Sequence, residues 1–143
     1  MVQTQKLEAR IRLIAEAAKE ASRQMANAST GQKNRVLKEM ATGLRRSKAA
    51  ILKANAKDMA HAAKAGLSKA MLDRLMLDDA RVEAMASAVL KLVSLPDPVG
   101  KRLESRTLKN GLKLEKVRCP LGVVGIVYES RPNVTIDAAA LCL

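Results

Sequence analysis

The run Ser94 to Gly100, SLPDPVG, puts two prolines and a glycine between two stretches of different periodicity. Proline has no N–H to give a helix or a strand ladder and restricts the residue before it, so no regular element is expected to cross this point. Before the run, apolar residues recur at three- and four-residue steps. After it they alternate or form one short block. A chain built this way is expected to start as packed helices and continue as an α/β segment.

The first helix is expected from about Gln5 to Asn27, with Leu7, Ile11, Ile14, Ala18, Ala21 and Met25 on one stripe and charged residues opposite. The polar run Asn27 to Gly31 ends it, and Ser29 with Gln32 has the spacing of a capping box. A second helix is expected from about Gln32 to Ala65, with Leu37, Met40, Leu44, Ile51 and Met59 along its stripe and Gly66 as its stop. Gly43 inside it costs ~1 kcal/mol relative to Ala, which points to a close helix contact or a small bend. A third helical region begins near Ser68 with Met71, Leu72, Leu75 and Met76. A fourth opens at Asp78 and Asp79 and continues through Val82, Met85, Val89 and Val93. Adjacent carboxylates diverge on a helix, so Asp78 and Asp79 are expected to cap rather than to share a proton. The methionines fall on apolar stripes and read as core fillers. His61, at a helix end, is given no catalytic role.

Beyond the proline run, Leu103 to Leu108 and Leu112 to Cys119 flank Asn110-Gly111, a strong hairpin signal, with a loop that can extend to Lys109. The alternation slips between Lys116 and Val117, which marks a bulge or a change of sheet. The last stretch breaks at Pro120, runs apolar from Val123 to Tyr128, crosses a polar loop from Glu129 to Pro132 and turns helical near Asn133. Strand, loop and helix in that order open a parallel α/β unit, whose ligands sit beyond the strand's carboxyl end. Gly122 and Gly125 do not make a dinucleotide fingerprint, which needs its glycines after the strand; close backbone packing is expected of them.

Composition narrows the function classes. With 48% apolar residues in 143, a core is expected, but it has no Trp, no Phe and only Tyr128 to fill it. A formal net charge of +12 invites a nucleic-acid reading. The basic residues are spread over every segment without aromatic neighbours to stack on bases, so solvated helix faces explain them better and no nucleic-acid partner is expected. Two cysteines without CxxC spacing fit a reducing compartment, and no metal site is expected. No apolar run approaches the ~20 residues of a membrane helix. Neither signal-peptide nor transit-peptide character is present, so a cytoplasmic location without membrane contact is expected.

The polar loop carries the candidate chemistry. Asn133 stands where loop becomes helix; its amide can point into a site, although asparagine is also a favoured N-cap and spacing alone favours the cap. Arg131 can clamp a phosphate or a carboxylate, Glu129 can accept from a hydroxyl, and Ser130 can do either.

The run PLGVVGIVYESRPNVTIDAAALCL, together with LDRLMLDDARVEAMA, LPDPVG and NGLKLEKVRCPLGV upstream, resembles the γ-glutamyl phosphate reductases (glutamate-5-semialdehyde dehydrogenases). These are a branch of the aldehyde dehydrogenase superfamily, and the resemblance covers essentially the whole chain. It implies an α/β, aldehyde-dehydrogenase-like fold: an N-terminal helical region over 1–96, a linker and hairpin arm of oligomerisation type over 97–120, and over 121–143 the first βα unit of a Rossmann-like cofactor domain. It also implies NADPH-dependent reduction of L-glutamyl 5-phosphate to glutamate 5-semialdehyde in proline biosynthesis, through a cysteine thioester. Asn133 then matches the superfamily asparagine that stabilises the oxyanion. Tyr128, Glu129, Ser130, Arg131 and Pro132 match the loop along the dinucleotide, with Arg131 open to either substrate or cofactor. A homo-oligomer and contact with glutamate 5-kinase belong to the same expectation. The family's nucleophilic cysteine has no match here. Cys119 precedes Pro120 and Cys142 lies in an apolar AALCL face where a buried thiol is inert, so the chain alone is expected to be a fragment without reductase activity. A basic nucleic-acid-binding protein and a non-catalytic interaction module are the alternatives.

Overall fold

The computed structural model describes residues 2–143. Its elements are α1 (Val2–Met25), α2 (Thr30–Arg46), α3 (Lys48–Lys64), α4 (Lys69–Leu75), α5 (Asp79–Val93), β1 (Arg102–Thr107), β2 (Lys113–Val117) and α6 (Pro132–Leu141). They fall into two compact units, one of the residues up to Thr30 with Pro96–Gly125, the other of Gly31–Leu95 with Ile126–Leu143.

The second unit holds the core. Leu37, Ala41 and Leu44 of α2 pack with Met85, Ala86 and Val89 of α5 and with Ala140 of α6. Small Ala41, Ala86 and Ala140 bring helix axes close, which a core without aromatic rings requires. Met85 is buried in this cluster and Met40 packs against it, as expected of flexible gap-fillers, whereas Met71 is exposed and does not fill the core.

Local chemistry sets the helix ends. Ser68 caps α4 by accepting from the Met71 N–H, and Asp78 caps α5 by accepting from the Arg81 N–H at 2.7 Å. α3 ends in a Schellman motif: Gly66 adopts φ 76°, its N–H donates to the Ala63 carbonyl, and that of Leu67 donates to Ala62. Asn55 is a polar residue buried beneath the turn from α4 to α5. Its Nδ2 donates to the Leu75 carbonyl and its Oδ1 accepts from the Leu77 N–H, both at 2.8 Å.

The expected helix from Gln32 to Ala65 is two helices. Ser47 separates them, yet its N–H still donates to Gly43 and its carbonyl still accepts from Ile51, so the interruption is a bend and not a loop. Gly43 takes part in no close helix contact, since a Cβ built there meets nothing within 4 Å. Across the bend, Arg45 of α2 pairs with Glu83 of α5, and Lys48 of α3 pairs with Asp79. The hydrogen bond to Glu83 raises the Arg45 pKa above its ordinary value, and that to Asp79 raises Lys48. The Glu83 carboxyl is held below its ordinary range, chiefly by the hydrogen bond from Arg45.

In the first unit, β1 and β2 form an antiparallel hairpin. Its loop is Lys109-Asn110-Gly111, with Gly111 at φ 87° and the Leu108 N–H bonded to the Leu112 carbonyl. This is the three-residue loop closed by a left-handed glycine. The register jumps between Arg102 and Glu104, opposite Val117 and Lys116, so the slip read in the second strand is a bulge made by Leu103 of the first. The α1 stripe is exposed: Leu7, Ile11 and Ile14 each show more than half their surface.

The expected strand Val123–Tyr128 does not form. Among the described residues no neighbouring strand bonds to it, its apolar side chains are exposed, and Val127 is fully so. An apolar sequence can favour an extended chain, but a strand exists only where a neighbour satisfies its backbone groups. Gly122 and Gly125 make no close packing either, since a Cβ built on each meets nothing within 4 Å.

Candidate active site

The loop Tyr128–Pro132 turns directly into α6. Pro132 occupies the first helical position, where its fixed φ and missing N–H suit the helix, and it drives the residue before it towards extended backbone. Arg131 therefore takes the N-cap position, without a side-chain cap bond. This displaces the expected cap: Asn133 lies within the first turn, and its Nδ2 donates to Asp137 Oδ2 at 2.9 Å. One amide proton is thereby engaged and the second is free for another acceptor.

Two features hold the loop back against the helix. Tyr128 Oη and Thr135 Oγ1 are hydrogen-bonded at 2.7 Å. Ser130 adopts φ 51°, a left-handed conformation that a non-glycine residue holds only when its surroundings require it. Glu129, Arg131 and Asn133 are exposed, and Ser130 and Pro132 are half-buried.

Asn133 borders a groove of about 460 Å³ formed within the second unit. α5 provides an apolar wall through Ala84, Met85 and Ala88, while the rim carries Arg74, Arg81, Arg131, Asp73 and Asp137. The Arg81 guanidinium donates to the Asp73 carbonyl, to Asp73 Oδ1 at 2.8 Å and to the Met76 carbonyl at 2.9 Å, closing the end of α4.

The structure places Asp137 and Thr135 against the expected site residues Asn133 and Tyr128, and Arg74 and Arg81 along the same groove as Asn133; none of the four is singled out by the sequence. Asp137 had a signal, since it follows Asn133 by four residues on a helix, where side chains meet. The arginines had none, because only the packing of α5 on α6 and the short α4 brings them to the groove.

Both cysteines are exposed, which corrects the expectation that Cys142 is buried. Cys142 is the C-cap of α6, nine residues from Asn133, which at a rise of ~1.5 Å per residue separates them by ~13 Å. Among the described residues, no group of His, Cys, Asp or Glu can hold a metal ion, and no helix is long and apolar enough to cross a membrane.

No protein-family model matches the chain. Individual proteins do. It is 56% identical over 131 residues to the γ-glutamyl phosphate reductase of Vibrio cholerae, covering 92% of this chain and 32% of that protein. It is 50% identical over 137 residues to that of Thermobifida fusca, covering 96% and 33%. Its fold matches the crystal structure of γ-glutamyl phosphate reductase from Thermotoga maritima with a TM-score of 0.86 at 38% identity, over 89% of this chain and 31% of that one. The Saccharomyces cerevisiae enzyme gives 0.84 at 34%, over 90% and 33%. The architecture of helices with a small antiparallel sheet is thus that of solved reductases. The chain spans about a third of the length of each relative, and across that third its sequence and fold belong to the γ-glutamyl phosphate reductase family.

Proposed function

We propose that these residues supply one side of the active site of a γ-glutamyl phosphate reductase, which reduces L-glutamyl 5-phosphate with NADPH to glutamate 5-semialdehyde and phosphate. The observation that carries the reading is the Asn133 amide, held by Asp137 at the mouth of a groove with one N–H to spare.

In this reading a thiolate from outside these 143 residues attacks the acyl carbon. The C–S bond forms, the C–O bond to phosphorus breaks, and phosphate leaves with the electron pair. Negative charge gathers on the carbonyl oxygen as the tetrahedral intermediate forms, and the free Asn133 N–H donates to it. A donor fixed before the reaction costs no reorganisation, and its loss lowers turnover by about 10²–10³-fold. Hydride for reduction of the resulting thioester is what NADPH supplies when bound.

The donor set of the loop fits a dinucleotide: Glu129 would accept from a hydroxyl, Ser130 would donate or accept, and Tyr128 and Pro132 would give apolar contact along it. Arg131 stands where that loop meets the groove. The exposed run Val123–Tyr128 becomes the first strand of a Rossmann-like cofactor domain once a neighbouring strand satisfies its backbone. Alone, without the nucleophile, the 143 residues do not carry out the reaction. Assembly of reductase copies and contact with glutamate 5-kinase remain part of the same proposal.

The test joins these residues to the rest of the Vibrio cholerae reductase and follows phosphate-dependent reduction of NADP by the semialdehyde, the reverse reaction. The hybrid is expected to turn over, and Asn133→Ala to lower kcat by about 10²–10³-fold while NADP affinity changes less than about twofold. Unchanged turnover in Asn133→Ala would refute the oxyanion role.

A further inference from the structure

We propose that Asp137 reads the α-ammonium group of the substrate, so that one carboxylate both aims the Asn133 amide and selects an amino acid; the assignment rests on the reductase reading above. Asp137 lies one helical turn beyond Asn133 on α6, half-buried at the edge of the groove. Its Oδ2 accepts from Asn133 Nδ2 at 2.9 Å. That bond leaves the carboxylate's charge whole, because the amide that donates is neutral. Of the two acids bordering the groove, Asp73 is paired with Arg81. Asp137 has no ion-pair partner among the described residues.

For an oxyanion donor, a carboxylate is a costly neighbour. Negative charge gathers on the carbonyl oxygen as the thiolate attacks, and a second negative charge roughly 5 Å away, across the amide, opposes it. A neutral acceptor would orient the amide as well without that cost. A cation bound against Asp137 removes the conflict, and the substrate brings one, since the α-amino group of a glutamyl compound is protonated at neutral pH. In an extended chain that nitrogen lies four bonds, roughly 5 Å, from the acyl carbon. The Asp137 carboxylate and the Asn133 amide are one hydrogen bond apart, so a chain of this length reaches the first while its carbonyl oxygen meets the second. The methylene groups between suit the apolar wall of Ala84, Met85 and Ala88.

The experiment uses the hybrid with the Vibrio cholerae reductase and compares two aldehydes in phosphate-dependent reduction of NADP. One is glutamate 5-semialdehyde; the other is 5-oxopentanoate, the same molecule without the α-ammonium group. With kcat/KM referred to the free aldehyde, the wild-type hybrid is expected to prefer the amino aldehyde at least about a hundredfold, because the analogue leaves the carboxylate unpaired. Asp137→Asn keeps an oxygen for the Asn133 amide and removes the charge. It is expected to lower kcat/KM for glutamate 5-semialdehyde about a hundredfold, and to leave that for 5-oxopentanoate unchanged or raise it, so that the preference collapses. If this variant does not fold, Asp137→Ser, equally uncharged and able to accept, is read in the same way. Equal losses on both aldehydes would reduce Asp137 to a positioning residue and overturn the proposal. So would a wild-type hybrid that turns over both aldehydes without preference. Failure of the oxyanion reading is seen separately, in an Asn133→Ala hybrid that keeps wild-type turnover on both.

Discussion

Asn55 shows how much one buried side chain can decide in this molecule. It satisfies the Leu75 carbonyl and the Leu77 N–H, backbone groups of the turn from α4 to α5 that no helix bond reaches. Asn55→Ala leaves both groups without a partner and is expected to cost about 2–3 kcal/mol, read as a lower urea midpoint at unchanged slope. Asn55→Asp keeps the acceptor for Leu77 but loses the donor to Leu75, so it should also destabilise. This residue was illegible in the sequence, because an asparagine among alanines and lysines looks like helix surface. Asn133 was partly legible. Its place at the loop-to-helix junction drew notice, but the helix starts at Pro132, two residues earlier than a cap at Asn133 requires, and that shift frees the amide for Asp137. Positions are set by neighbouring residue types, whereas partners are set by packing, and the second is what residue order conceals.

Among elements, the ion pairs that tie α2 and α3 to α5 make a pH-dependent contribution. Glu83 has its folded pKa depressed by Arg45 below the ordinary 4.5. Its contribution to stability is therefore fully present above the unfolded pKa and is lost as pH falls through the lower, folded one. Glu83→Gln is expected to shrink the drop in urea midpoint between about pH 7 and about pH 3, and added salt should diminish the wild-type drop, since both partners are exposed. Equal drops in the two proteins would exclude Glu83 as a source. Lys48 acts at the other extreme, its contribution being lost only as pH rises through a pKa above the ordinary 10.5. At this scale most elements were legible. Stripes, caps and Asn110-Gly111 specify helices and a hairpin through bonds made within a few residues. The strand Val123–Tyr128 failed because a strand needs a partner, and an apolar run carries no record of where that partner lies.

At the scale of the whole molecule the apolar residues are unevenly spent. All seven residues of the main core cluster belong to the unit of Gly31–Leu95 and Ile126–Leu143. The other unit keeps Leu7, Ile11 and Ile14 of α1 and Leu103, Leu112 and Leu114 of the hairpin exposed, so its elements rest on backbone bonds and surface ion pairs such as Arg102–Glu115. An isolated helix or hairpin is marginal in water, and an amphipathic stripe states that a face can be buried without stating against what. Amide exchange followed by mass spectrometry should separate the two. Peptides of α2, α5 and α6 should exchange only through global opening, while those of α1 and the hairpin open locally and show protection at least about tenfold lower, equivalent to ~1.4 kcal/mol. Joining the chain to the rest of a reductase should slow exchange in α1, the hairpin and Val123–Tyr128 far more than in α5, because only the former have apolar surface left to bury. Uniform protection in the isolated chain, or no gain in the hybrid, would show that these faces are stable without partners.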